Sequence, residues 1–267
     1  MDLEVVREIW EMQGAVPAGA ADARAQAHRA VACLAAASRA LLGEAGSHLD
    51  WLAGARAFAT PVIAGKVRIA LAPAKLTLLL TDAAGNAGET FALAGKTSSD
   101  AAKWVAEQAR KYGAEVAGET GAPVTFAASE ALEDLARSFA NAHRALLCVA
   151  AMTKSEQPVR IEPETLHLTV GVAFGDGNSV ALGYCDGDAE IPAPYYYAKP
   201  CPRPKLTGAD SLPELESGGA WKTDGAWFGG ILPRAEWVWY GAEQLQAGCV
   251  VAFLDSAVDA SRDLFGR

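Results

Sequence analysis

The residues of this 267-residue chain that suit acid–base chemistry most plainly are two histidine–arginine pairs, His28-Arg29 and His143-Arg144, which occur in one pattern. Residues 27–36 read AHRAVACLAA and residues 142–151 read AHRALLCVAA. Two such imidazoles brought together would serve proton transfer, or would hold an anion with the arginines beside them. The competing reading is that each is a half-buried residue on a helix face, kept for fit. Cys33 and Cys148 follow one turn later and read as small buried hydrophobes rather than nucleophiles. The five cysteines are odd in number and widely spaced, with no C-x-x-C pair, which suits reduced thiols. Cys185 and Cys201 have no ligand-spaced histidine in sequence, and Asp186-Gly187-Asp188 is too short for a calcium loop, so no metal and no cofactor are expected. Gly95-Lys96-Thr97 resembles the end of a phosphate-binding loop, but Thr90 stands where such a loop needs glycine. A plain helix start, with Thr97 and Asp100 at capping-box spacing, is the better reading.

Positioning these groups requires elements that come in two copies. Residues 67–86 (VRIALAPAKLTLLLTDAAGN) align without gaps to 159–178 (VRIEPETLHLTVGVAFGDGN), sharing Val67/Val159, Arg68/Arg160, Ile69/Ile161, Leu76/Leu168, Thr77/Thr169, Gly85/Gly177 and Asn86/Asn178. The histidine-bearing helices repeat at a longer spacing, so the first copy carries an extra segment between helix and strand. The expected fold class is α+β, with two pseudo-symmetric repeats of helix, antiparallel strands and helix. Residues 1–114 form the first repeat with a helical arm ending near Gly14 and Pro17, and residues 115–267 form the second, the two fused into one body. The connection falls in 114–129. Helices are expected over 21–42, 97–112 and 130–152 and toward Leu264, and a short helix within 43–61.

After Asn178 the copies diverge. Residues 185–249 form an insertion rich in proline, glycine and aromatics, and it is the place to look for a ligand: Tyr195, Tyr197, Trp227, Trp237 and Trp239 are the candidate contacts, with His28 and His143. Trp237 and Trp239 alternate with Val238 and Tyr240 and would share one face of a strand. The bland alternative is that a long insertion needs aromatic anchors to fold onto a core.

Composition bounds the partners. With 51% hydrophobic and 21% charged residues the chain reads as globular, and a net charge of −9 with a pI near 5.0 offers no basic footprint for nucleic acid or an anionic membrane. No apolar run approaches the roughly 18–20 residues of a spanning helix, and a cytoplasmic location is expected.

Two resemblances follow from quoted stretches. The run 64–73 (AGKVRIALAP), the run 195–204 (YYYAKPCPRP) and the tail 252–257 (AFLDSA) followed by Ala260 and Leu264-Phe265-Gly266 resemble a bacterial family of domains of unknown function. That family carries a G-K-[IV]-R-L-A-L-x-P strand, an F-Y-x-Y-A-Y-P-x-P loop and an F-L-x-S-x-Y-x-A-A helix. Its histidine- and tryptophan-rich elements are replaced here by Pro73-Ala74-Lys75-Leu76 and by 161–167 (IEPETLH), so no site carries over. Locally, 159–170 (VRIEPETLHLTV) is similar to a catalytic strand of the two-histidine (H-x-T) phosphoesterases, internally duplicated α+β enzymes. That resemblance implies His167 and Thr169 as one half of a site, with Lys75 and Thr77 as a degenerate first motif. Two histidines there act as base and acid on a cyclic phosphate; a lysine with its ordinary pKa near 10.4 is a poor base.

The leading expectation is therefore a small-molecule-binding or structural module. The rivals are a two-histidine-type phosphoesterase and a homodimerising structural protein.

Overall fold

The structure is a computed structural model that describes residues 1–43, 47–116, 122–205, 212–224 and 227–266. The expected connection at 114–129 lies in part, at 117–121, outside the described residues. The fold is α+β. In chain order it contains α1 (Leu3–Ile9), α2 (Ala20–Leu42), β1 (Asp50–Leu52), β2 (Ala57–Ala59), β3 (Val67–Ala72), β4 (Thr77–Asp82), β5 (Ala87–Ala92), α3 (Ser98–Lys111), α4 (Ala131–Met152), β6 (Arg160–Glu162), β7 (His167–Gly175), β8 (Asn178–Cys185), β9 (Tyr195–Cys201), β10 (Ala220–Lys222), β11 (Gly229–Pro233), α5 (Arg234–Val238) and α6 (Glu243–Leu264). One antiparallel sheet has the order β1-β2-β3-β4-β5 and the other β10-β11-β9-β8-β7-β6. The chain divides into two compact units. One comprises Met1–Val16, Asn141–Val159 and Leu168–Arg267; the other comprises Pro17–Ala140 and Arg160–His167.

The second of these units is a strand meander packed on helices. Alanines give α2 high helix propensity and let α3 and β3 approach it closely. Its end is set by Gly43, whose φ of 76° is a conformation that glycine adopts without strain. The segment expected as a short helix is instead the β1–β2 hairpin, because Trp51 and Phe58 face each other across the ladder. Both rings close on Phe139, at centroid distances of 5.9 and 4.8 Å, and burying those rings outweighs local propensity. Thr97 and Asp100 cap α3 reciprocally, so Gly95-Lys96-Thr97 is a plain helix start.

In the other unit α6 lies over β8 and β9, burying Val250, Phe253, Leu254 and Ala257. The N-terminal arm ends its helix at Ile9, earlier than Gly14, and then runs on as extended chain tied down by side chains. Gln246, 1% exposed, accepts from the Gln13 amide (3.0 Å) and from Trp10 Nε1 (3.3 Å). The same side chain donates to the carbonyls of Gln13 (2.8 Å) and Tyr240 (3.1 Å). A fully bonded buried amide of this kind specifies one docking of the arm.

Two turns share a backbone feature. Pro73-Ala74-Lys75-Leu76 leads into β4 and Pro163-Glu164-Thr165-Leu166 leads into β7, and the leucine in each is left-handed, at φ 46° and φ 56°. The two leucines stand 90 residues apart, two fewer than the spacing of the gapless sequence alignment, and β6 is shorter than β3.

Candidate functional site

The β7–β8–β9 ladder brings several of the candidate residues onto one sheet face. Leu168 pairs with Tyr184, Gly183 with Tyr197 and Cys185 with Tyr195. Since side chains alternate along a strand, Thr169 shares the face that carries Cys185, Tyr195 and Tyr197. Tyr196 and Tyr184 point the other way, toward α6, with ring centroids 5.1 Å apart. The tyrosine run that reads as a loop is thus a central strand, and Tyr195, Tyr196 and Tyr197 are all buried. Tyr197 lies flat over Gly183, where an added Cβ would stand 2.3 Å from its ring, so glycine is what admits the ring.

Hydrogen bonds order this face. Tyr195 donates to Asp188 Oδ2 at 2.6 Å, while Asp188 Oδ1 accepts the amides of Glu190 (2.8 Å) and Ile191 (2.7 Å). On the opposite face, Tyr184 donates to Asp186 Oδ1 at 2.7 Å. Burial pushes the Cys185 thiol up to about 11, and it raises the Tyr195 and Tyr196 phenols as well. His167 is half-buried at the first position of β7.

The other candidates lie elsewhere. Trp237 sits in a helix, α5, rather than a strand; it is fully buried and donates to Gln13 Oε1 at 3.0 Å. Trp239, one residue beyond that helix, is 86% exposed, so the two tryptophans share no face. Trp227 stands edge-on to Tyr197 with centroids 6.5 Å apart. Lys75 is exposed, and the Thr77 hydroxyl donates back to its carbonyl at 2.9 Å. His28 donates to the Thr165 carbonyl; burial lowers its pKa, against the effect of that hydrogen bond. His143 is half-buried on α4.

A second site was not anticipated in detail. A groove of about 760 Å³ runs along α6, walled by α1 and by residues 213–216 of the insertion. Its apolar lining includes Leu3, Met152, Leu215 and Val251, and its carboxylates are Glu214, Glu216, Asp255, Asp259 and Asp263. The cation among the lining residues, Arg7, already pairs with Glu4 at 2.7 Å, and Arg262 pairs with Asp259 at 2.7 Å. Half-buried Asp255 has no ion-pair partner among the described residues, and burial, then Asp259 and Glu216, raise its pKa. The insertion builds the outer wall: Trp221 donates to the Pro213 carbonyl at 2.7 Å and the Glu216 amide donates to Ser256 on α6 at 3.0 Å. Leu215 fills the space above Gly219 and Gly230.

No family model matches the chain, and no curated protein or solved structure matches it. Among the described residues no helix is long and apolar enough to cross a membrane.

Proposed function

We propose that the protein is a small-molecule-binding module whose ligand is an organic cation with an apolar body, held in the groove along α6. The observation that carries this reading is the charge of the groove. Five carboxylates line it against a single arginine that is already paired, and burial with Asp259 and Glu216 raises the pKa of Asp255 against the smaller opposing effect of Arg262. A carboxylate partly withdrawn from water beside like charges gains most from a cation brought to it. The apolar wall of Leu3, Met152, Leu215 and Val251 would cover the carbon body, the usual division of labour in a ligand pocket. The same charge repels phosphates, so a phosphoester substrate is a poor fit to this groove.

The test is a melting-temperature and calorimetry series on the full chain with spermidine, octylamine and octyltrimethylammonium, against octanol and octanesulfonate. The cations should stabilise the protein, by about 2.7 kcal/mol at a hundred times the dissociation constant, and less as salt screens the groove. Asp255→Asn should weaken that binding. Octanol binding as well as octylamine, or cation binding indifferent to Asp255→Asn, would refute the reading.

A further inference from the structure

We propose that the apolar patch at the head of α6 docks a basic segment of a partner polypeptide, one with an apolar face flanked by lysine or arginine. Trp239, 86% exposed, and Leu245, 57% exposed, are the two most exposed large apolar side chains among the described residues, and they flank the turn that joins α5 to α6. Tyr240 and Ile9 are exposed as well. One buried amide gathers the four. Gln246 donates to the Tyr240 carbonyl at 3.1 Å and accepts from Trp10 Nε1 at 3.3 Å. Trp239 precedes Tyr240, Leu245 precedes Gln246 and Ile9 precedes Trp10, so each exposed side chain belongs to this network or stands one residue from it. All of these residues lie in one compact unit. The exposure of Trp239 is built in: Trp237 is fully buried, and on helical backbone a residue two positions on points about 200° away. Tryptophan and tyrosine held outward in this way are the residue types that dominate binding at interfaces.

Charge decides the occupant. Glu8, beside Ile9, and Glu236 are exposed, Glu243 is half-buried at the start of α6, and none of the three has an ion-pair partner among the described residues. The cations of the same segments are already engaged: Arg7 pairs with Glu4 at 2.7 Å, and Arg234, 1% exposed, donates to the Gly14 carbonyl at 2.9 Å. No lysine occurs in residues 1–16 or 234–246. A second copy would set these carboxylates against their own kind, and an anionic lipid surface would be repelled likewise. A basic segment meets both demands, since its apolar face covers Trp239 and Leu245 while its cations reach the carboxylates around them. The groove along α6 is a separate site, because Trp239, Tyr240, Leu245 and Ile9 are not among its lining residues.

The probe is a fluorescently labelled amphipathic peptide of leucine and lysine, titrated with the full chain by anisotropy, with a leucine–glutamate peptide of the same pattern as control. The lysine peptide should bind and the glutamate peptide should not. Trp239→Ala and Leu245→Ala, at exposed positions where melting curves check the fold, should each weaken binding by about tenfold or more. Glu236→Gln with Glu243→Gln should slow association and flatten the salt dependence while dissociation changes little. Asp255→Asn should leave the Trp239-dependent binding unchanged, and octylamine binding should survive Trp239→Ala, so this surface and the groove fail separately. Absent binding of the lysine peptide, binding indifferent to Trp239→Ala, or equal binding of the glutamate peptide would overturn the proposal. So would sedimentation showing self-association that Trp239→Ala abolishes, which makes a second copy the occupant, or Trp239-dependent binding to phosphatidylcholine vesicles, which makes it a lipid surface.

Discussion

Replacing Gln246 with leucine isolates what the N-terminal arm contributes, because leucine keeps most of the volume and removes four hydrogen bonds. Two of those matter less: the bond from Trp10 Nε1 is long at 3.3 Å, and Tyr240 is partly exposed, so water can reach its carbonyl. The Gln13 amide and carbonyl are the costly pair, since Gln13 is 2% exposed. Leaving each unsatisfied costs about 1–3 kcal/mol, or about 2–6 kcal/mol for both if the arm stays in place. The arm can escape that penalty by peeling away. Doing so exposes Val6 and Trp10, at about 1.5–3 kcal/mol each, and gives up the packing of α1 on α6. The two costs are comparable, so Gln246→Leu should lose several kcal/mol and let the arm open locally. Hydrogen exchange by mass spectrometry would show faster exchange over residues 1–16 than over β8 and β9, and denaturant unfolding would give the loss. Because Leu3 and Arg7 wall the groove, cation binding should weaken in parallel. Unchanged exchange over the arm, together with a loss below about 1 kcal/mol, would refute the assignment of this network as the clamp.

Asp255 is held above the ordinary carboxylate value, so its folded form favours the proton. Its stabilising contribution is complete below the unfolded value of 3.8 and is lost as pH rises through the raised folded value. Asp255→Asn should therefore melt at or above the native temperature at neutral pH, with the difference vanishing in acid; a variant less stable at pH 7 than at pH 3 relative to native would contradict this. Gly183→Ala should cost about 1–3 kcal/mol by driving a methyl into the Tyr197 ring, read by denaturant unfolding, with Tyr197→Leu restoring part of it in the double variant. A neutral Gly183→Ala would show that the ring has room to move. Leu166→Gly relieves a left-handed backbone worth about 1 kcal/mol but removes a side chain that is 3% exposed, so it should destabilise on balance by about 1–4 kcal/mol. Leu76→Gly, at the matching turn, should lose a similar amount, and a large disparity in the melts would separate the two turns.

The sequence carried the helices and the meander well, because their signals are local. Alanine runs, the Thr97–Asp100 box and the short apolar runs of β3 and β4 act within a few residues of where they are written. What it hid depends on distant partners. The 47–61 stretch becomes a hairpin because Phe139 completes its aromatic cluster, and nothing local to Trp51 records that. Trp237 alternates with Trp239 as a strand would, yet its indole is drawn into a helix by Gln13, a residue 224 positions earlier. The shared letters of residues 67–86 and 159–178 are a local signal too, and they align without a gap at a spacing of 92. The left-handed leucines before β4 and β7, Leu76 and Leu166, stand 90 residues apart instead, because β6 is shorter than β3. A strand's length is set by the partners it pairs with, which the letters of one strand do not record, so matched letters alone do not fix which turn positions correspond.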